Sequence, residues 1–214
     1  MKTAILLAAG RGERLRPITD VTPKPLCCIQ GKPLIATHIE NLKAAGFQRI
    51  IINHAHLGDQ IRRYVSQMNV QGVQIDFSPE PPGALETGGG LYQIIQRFEL
   101  KHPFLCVNTD ICTQFPFAQL AAKQSSLAHL VLVPNPPHNP QGDFGLSANQ
   151  CLTLETPRYT MAGITQYDPQ LFVQCKPGRY SVVPIIKAFL KKQAVTGEIY
   201  QGTWLDIGSP ERLS

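Results

Sequence analysis

Leu7-Ala8-Ala9-Gly10-Arg11-Gly12-Glu13-Arg14-Leu15-Arg16-Pro17 is the stretch on which the reading of this chain turns. Upstream of it, residues 3–8 form a short apolar run, the pattern of a strand buried on both faces, and that run passes directly into Ala9-Gly10. A buried strand ending in a glycine turn is the opening of an α/β unit. Gly10 and Gly12 let the main chain approach an anion closely, and successive amides there can cradle phosphate oxygens. Arg11, Arg14 and Arg16 add positive charge at the same spot. The G-K-[ST] ending of a P-loop is absent, and Leu15 stands where a dinucleotide fingerprint needs its third glycine.

Outward from that turn, strand and helix signals alternate. Pro33 opens a helix at its first turn, Leu34, Ile35, His38, Ile39 and Leu42 follow at helical spacing, and Gly46 is placed to end it. Strands are expected at Arg49–Asn53, Val73–Phe77, Pro103–Asn108 and His129–Val133, and helices at Gln60–Val65 and Gly88–Phe98. This alternation predicts an α/β fold with a mostly parallel central sheet flanked by helices. In such sheets the site lies beyond the carboxyl ends of the strands, where Gly10 and Asp110 both fall. After the proline-rich loop 134–140 the pattern changes. Strand-like pieces near 144–147, 151–154 and 161–166 suggest a small antiparallel lobe, followed by a helix over Ser181–Leu190, a last strand at Thr203–Asp206, and a helix start with Ser209 as N-cap.

Four further motifs carry possible chemistry. In Thr22-Pro23-Lys24-Pro25-Leu26, two prolines hold Lys24 on a rigid segment; the stretch is either a simple turn or a placed lysine. Asn108-Thr109-Asp110 puts a carboxylate just past a buried strand, where it either caps the next turn or binds a hard cation such as Mg²⁺. Trp204-Leu205-Asp206-Ile207-Gly208 repeats that arrangement, and two such carboxylates could share one magnesium if the fold joins them. Leu85-Glu86-Thr87-Gly88-Gly89-Gly90 opens a helix with three glycines, each costing about 1 kcal/mol relative to alanine in a helix interior. Either a flat ligand or tight helix–sheet packing accounts for them. His54 and His56 lack a third clustered ligand and read as loop histidines.

The 214 residues fit one domain, and 43% apolar content is that of a globular chain. The net charge of +5 is spread out, with Arg62-Arg63 and Lys191-Lys192 only as pairs, so nucleic acid is not an expected partner. Six cysteines without a C-x-x-C spacing read as mostly buried thiols in a reducing compartment. Lys2 before Ile5–Ala9 has the outline of a secretory signal, but the run stops at Gly10-Arg11 and is too short. No stretch approaches a membrane span. A cytoplasmic protein is expected, with no membrane partner; its oligomeric state is not legible.

Taken together, Leu7-Ala8-Ala9-Gly10-x-Gly12-x-Arg14-Leu15-x-Pro17, Pro23-Lys24-Pro25, Thr109-Asp110 and Trp204-x-Asp206-x-Gly208 closely resemble the sugar-phosphate nucleotidyltransferase family across nearly the whole chain. The resemblance implies a Rossmann-like, GT-A-like domain, with about residues 1–133 binding nucleotide and about 134–214 binding sugar. It implies that a nucleoside triphosphate and a sugar 1-phosphate are joined with Mg²⁺ and pyrophosphate is released. It assigns Arg14, Lys24 and Asp110 to catalysis. Leu7, Ala9, Gly10, Gly12, Glu13, Glu80, Leu85, Thr87 and Gly88 then contact the nucleotide with them. Asn108, Asp143, Gly145, Glu155, Gly163 and Asp206 fall to the acceptor, and Asp110 and Asp206 to the metal. Finer features, such as Ser78-Pro79-Glu80, Leu85–Gly90 and Gly142-Asp143-Phe144, are similar to members using UTP and N-acetylmuramate 1-phosphate in peptidoglycan recycling. Departures fall at Thr156, where members often carry lysine, and at Thr109, where they carry glycine. Arg158 is a candidate for an acceptor carboxylate. The rivals are a guanylyl- or thymidylyltransferase acting on mannose or glucose 1-phosphate, and a non-catalytic sugar-nucleotide sensor.

Overall fold

The computed structural model describes residues 1–120 and 126–213. Its centre is a seven-stranded sheet in the order β12-β8-β11-β6-β1-β4-β5. These strands are β1 (Thr3–Leu7), β4 (Arg49–His54), β5 (Gln74–Pro79), β6 (Phe104–Asn108), β8 (Ala128–Val133), β11 (Thr160–Tyr167) and β12 (Val195–Ile199). β1 pairs in parallel with both β4 and β6, β4 with β5, and β8 with β12. The Ile-Ile-Ile run of β4 and the Ala-Ile-Leu run of β1 are wholly buried because helices cover both faces. Alternation sorts the side chains into two cores. Ala4, Leu6, Ile50 and Ile52 pack with Ile35, Ile39 and Leu42 of α2 (Leu34–Ala44) and Ile61 and Val65 of α3 (Gly58–Gln67) on one face. Ile5, Ile51 and Cys106 pack on the other with Leu91 and Ile94 of α4 (Glu86–Arg97) and Ile186 of α6 (Val183–Ala188).

Two short helices, α1 (Ile18–Val21) and α5 (Phe117–Leu120), and the hairpin of β2 (Cys28–Ile29) and β3 (Lys32–Pro33) decorate this frame. The small antiparallel lobe consists of β9 (Gly145–Leu146) and β10 (Leu152–Thr153). Residues 161–166, expected in that lobe, instead belong to β11, which runs antiparallel between β6 and β8 inside the main sheet. Their alternation is uninformative because both faces are covered. β12 carried no clear strand signal, since Gly197 and Glu198 interrupt its apolar pattern. The Trp204–Asp206 strand, β13, leaves the main sheet and pairs antiparallel with β7 (Ile111–Thr113), directly after Asp110. The segment after Ser209 forms a 3₁₀ turn, Pro210–Leu213. Only Cys27 and Cys106 are buried; Cys28 is exposed and the other three are half-buried, a correction to the expected set of mostly buried thiols. His54 likewise proves to be the buried last residue of β4, not a loop residue.

The three glycines of α4 face protein atoms. A Cβ at Gly88 would meet the Tyr180 ring at 2.6 Å, one at Gly90 would lie 2.5 Å from Glu80 Oε1, and one at Gly89 would overlap the Gly178 carbonyl oxygen. Tight packing, not a flat ligand at these positions, explains their use. Gly89→Ala is therefore expected to destabilise the fold by roughly 1–3 kcal/mol through overpacking. Denaturant unfolding measures this, and an unchanged midpoint would refute the packing account.

Candidate active site

The carboxyl ends of β1, β4, β5 and β6 open onto a cleft of about 810 Å³. It is lined by the glycine turn (Leu7 to Glu13), by Lys24, Asn53, His56 and Glu80, by residues 82–84, Glu86 and Thr87, by Asn108 to Asp110, and by Arg179. Of the residues read from sequence, Leu7, Ala9, Gly10, Gly12, Glu13, Lys24, Glu80, Thr87, Asn108 and Asp110 are thus brought together.

At one end lies a chain of buried hydrogen bonds. The Ala8 amide donates to Asn53 Oδ1 (2.6 Å), Asn53 Nδ2 donates to Glu80 Oε1 (2.6 Å), and the Leu85 amide donates to Glu80 Oε2 (2.7 Å). Burial pushes the Glu80 carboxyl up from its ordinary range, while the bonds from Leu85 and Asn53 pull it down. Leu85 and Gly88 stand behind this wall; the Leu85 carbonyl accepts from the Tyr180 amide, and the Gly88 amide donates to the Tyr180 carbonyl. The loop leading into α4 is held in the left-handed region at Gly83, Ala84 and Glu86 (φ 95°, 57° and 58°), a backbone cost concentrated at the cleft rim.

At the other end, Lys24 Nζ donates to Asp110 Oδ2 at 2.7 Å. Lys24 is buried, held by Pro23 and by Pro25 inside a 3₁₀ turn, Lys24–Leu26. The lysine is thus a placed group, resolving the choice left open by its motif. Gly12, at φ 69°, folds over it; a Cβ there would meet Thr19 Cγ2 at 2.9 Å and Lys24 Cβ at 3.1 Å. A Cβ at Gly10 would meet nothing within 4 Å. Thr109, in place of the family glycine, anchors the turn: its hydroxyl donates to the Leu7 carbonyl at 2.7 Å. Below it lies His38, buried and with neither ring nitrogen hydrogen-bonded. Burial lowers its pKa to about 4, opposed by the Ile111 backbone and the Asp110 charge.

Asp206 lies beside Asp110 without lining the cleft. The Ile207 amide donates to the Asp110 carbonyl at 2.7 Å, and Asp206 sits opposite Ile111 in the β7–β13 ladder. Its carboxylate is held by Arg212, with His138 Nε2 3.4 Å from Oδ2. Arg14 follows the glycine turn, its guanidinium beside Gly208. The acceptor candidates fall into separate places. Gly163, at φ 73° in the bulged part of β11, abuts the Asn108 side chain. Gly145 packs on the backbone of Glu155 and Pro157, and Asp143 Oδ2 accepts from the Met161 amide at 2.8 Å. Arg158 is half-buried, and its Nε donates to the Leu154 carbonyl at 2.7 Å.

Among the described residues no group of three His, Cys, Asp or Glu side chains stands ready to hold a metal. Asp110 and Asp206 carry the hard oxygen donors that divalent cations take, and here Asp110 is held by Lys24 and Asp206 by Arg212 and His138. Asn53, His56, Glu86 and Arg179 are cleft residues that sequence reasoning did not place. His56 Nε2 bonds the Thr19 carbonyl at 2.8 Å, and Arg179 Nε lies 3.4 Å from Glu86 Oε1. Asn53 was the legible one, since it ends a buried strand as Asn108 does.

Residues 3–214 match the Nucleotidyl transferase family, and the chain belongs to it. It is 43% identical, over 98% of its length and 94% of the relative's, to an N-acetylmuramate alpha-1-phosphate uridylyltransferase of Neisseria meningitidis. It is 26% identical to mannose-1-phosphate guanyltransferase beta-A of Xenopus laevis, over 97% of this chain and 61% of that one. The fold is that of HddC from Yersinia pseudotuberculosis, solved with GMP-PN (TM-score 0.79, 24% identity, covering 99% of this chain and 96% of that one). The protein is a sugar-1-phosphate nucleotidyltransferase.

His38 gives this site a pH signature. Its folded pKa lies below the value of 6.5 it takes when free, so the unfolded chain binds the extra proton. Its contribution is therefore intact above about pH 6.5 and is lost as pH falls toward 4, by on the order of 3 kcal/mol. Over that interval wild type should lose stability relative to His38→Phe by about that amount in melting measurements; a gap that stays constant with pH would show that His38 is not held neutral.

Proposed function

We propose that this protein transfers a uridylyl group from UTP to N-acetylmuramate 1-phosphate, giving UDP-N-acetylmuramate and pyrophosphate in cytoplasmic peptidoglycan recycling. The observation that carries the reading is the near full-length 43% identity to the Neisseria uridylyltransferase, on a cleft whose phosphate end retains Lys24 and Asp110. In this reading the chain works as one domain. Residues 1–133 bind nucleotide and 134–214 bind the acceptor. Glu80 and Thr87 frame the base and ribose, backed by Leu85 and Gly88, while Gly10, Gly12, Glu13 and Arg14 take the triphosphate. Asn108, Asp143, Gly145, Glu155 and Gly163 face the sugar.

An acceptor phosphate oxygen attacks the α-phosphorus in line, the bond to the β-phosphate oxygen breaks, and pyrophosphate leaves with that electron pair. The nucleophile is a phosphate whose second pKa is about 6, so it is ionised at neutral pH and needs no general base. The obstacle is repulsion between anions. Lys24, directed by Asp110, and Arg14 supply fixed positive charge where the phosphates meet. Asp110 and Asp206 would hold Mg²⁺, which when bound neutralises and orients phosphate oxygens. A guanylyltransferase acting on mannose 1-phosphate is the second reading, favoured by the Xenopus relative at its lower identity. The sensor reading has nothing comparable behind it, since a sensor need not keep Lys24, Asp110 and Asp206 in place.

Pyrophosphate release with Mg²⁺, crossing UTP, GTP, dTTP and CTP against several sugar 1-phosphates, should show turnover only with UTP and N-acetylmuramate 1-phosphate. Turnover with another pair replaces the substrates, and none at all favours a sensor. Asp110→Asn and Asp206→Asn should each lower kcat by roughly two orders of magnitude or more, the scale of losing a main electrostatic stabiliser. Rates near wild type would remove both from the metal site.

A further inference from the structure

Arg179 and Glu86 meet at the rim of the cleft, which both line. They come from different halves of the chain: Glu86 opens α4, and Arg179 stands just ahead of α6. Arg179 Nε lies 3.4 Å from Glu86 Oε1, with the side chains 64% and 46% exposed. An ion pair this open contributes little to folding. The main chain around it is nevertheless fixed. The Tyr180 amide donates to the Leu85 carbonyl at 3.1 Å, and the Tyr180 carbonyl accepts from the Gly88 and Gly89 amides at 3.0 and 3.2 Å. The Gly178 carbonyl oxygen fills the space that a Cβ on Gly89 would need. Glu86 is held at φ 58°, in the left-handed region that a glutamate adopts only at a cost. A guanidinium on a clamped main chain therefore stands at the cleft, steadied by one loosely placed carboxylate.

The acceptor of the reaction proposed above is an anion twice over. N-acetylmuramate 1-phosphate carries its phosphate on C1 and, across the sugar ring, a carboxylate on the lactyl ether of C3. A carboxylate taken out of water needs a cation with hydrogen-bond donors. Among the described residues, Arg11, Lys24 and Arg179 are the arginines and lysines that line the cleft. Arg11 belongs to the glycine turn and Lys24 is bound to Asp110, so both stand where the phosphates meet in that reading. Arg179 stands at the other rim, beside Glu86, and is the cation that the acceptor half supplies. Arg158, which the sequence offered for this carboxylate, donates to the Leu154 carbonyl and does not line the cleft.

A guanidinium carries five N–H donors in a planar fork, and one carboxylate oxygen 3.4 Å from Nε leaves most of them free. A second carboxylate matches that fork with two parallel bonds, which the point charge of a lysine does not reproduce. Resting on the acceptor reading above, we propose that Arg179 is the specificity-determining residue that takes the carboxylate of the muramyl acceptor, with Glu86 holding the guanidinium in place. An acceptor without the lactyl group leaves the arginine on Glu86 alone and gains nothing from it.

Pyrophosphate release at saturating UTP and Mg²⁺ tests this, with N-acetylmuramate 1-phosphate and N-acetylglucosamine 1-phosphate as acceptors; the second is the same sugar without the lactyl ether. Arg179→Met should raise the KM for the muramyl acceptor roughly ten- to hundred-fold, the scale of one charge-assisted contact. The KM for UTP and the kcat/KM for the glucosaminyl acceptor should stay within about twofold. Arg179→Lys should recover part of the loss, and Arg158→Met should leave the ratio between the two acceptors unchanged. The methyl ester of the lactyl group should bind wild type as weakly as the acid binds Arg179→Met. A rise shared by both acceptors, or confined to UTP, would make Arg179 a clasp of the cleft or a nucleotide contact and overturn the proposal, as would loss of discrimination in Arg158→Met alone. Unchanged muramyl kinetics in Arg179→Met would overturn it and leave the acceptor reading standing. Turnover by wild type of a different sugar phosphate would overturn the acceptor reading and the carboxylate role with it. Thermal unfolding of each variant confirms that it is folded, and the exposed pair should move the midpoint little.

Discussion

The side chain of Asn53 bridges the ends of three strands. It takes the Ala8 amide at the close of β1 and donates to Glu80 just past β5, and Glu80 in turn receives the Leu85 amide ahead of α4. Each of these groups is buried or nearly so, where an unmet partner costs about 1–3 kcal/mol. Deleting the amide of Asn53 would strand both the Ala8 amide and a Glu80 carboxylate that burial already disfavours. The bonds fix where the chain leaves β1, and so where Gly10 and Gly12 present their amides. They also fix the base end, because the same carboxylate sits against Gly90. Both ends of the cleft thus rest on one short polar chain at the lip of an apolar sheet.

The Lys24 end of the cleft is arranged by charge. Lys24 is short of water and would be penalised alone, but Asp110 is 2.7 Å away and its turn is anchored through Thr109 to β1. The pair is half open to solvent on the Asp110 side, so its net worth to folding is small. Its value is orientation: a lysine on a flexible stem is confined before any phosphate arrives. Preorganised charge of this kind stabilises developing negative charge without reorganisation at the moment of reaction.

How far the sequence reported all this depended on whether each signal was local. The buried strands β1, β4 and β6 were legible because a parallel sheet demands unbroken apolar runs. Asp110 and Asp206 were legible as carboxylates at strand ends, and the pairing of β13 with β7 sets Asp206 opposite Ile111, the residue after Asp110. The insertion of β11 between β6 and β8 was not legible, since nothing local in residues 160–167 says which neighbours they will find. Arg179 was silent for the same reason: it reaches the cleft only because the segment before α6 packs on α4. Thr109 departs from the family glycine, and its hydroxyl finds the Leu7 carbonyl.

The glycines show how one residue type serves opposite ends. Gly10 faces open space, so a side chain there would intrude on whatever the cleft binds. Gly88 and Gly89 face Tyr180 and Gly178, so their missing side chains let the segment 178–180 press on α4 beside the cleft. That contact is held by the Tyr180 amide on the Leu85 carbonyl and by the Gly88 amide on the Tyr180 carbonyl. Leu85 also binds Glu80, so the Tyr180 segment and the Asn53 chain meet at that residue. The two halves of the chain are also joined by the β11–β6 and β13–β7 ladders, so the shape of the cleft is a property of the fold and not of either half alone.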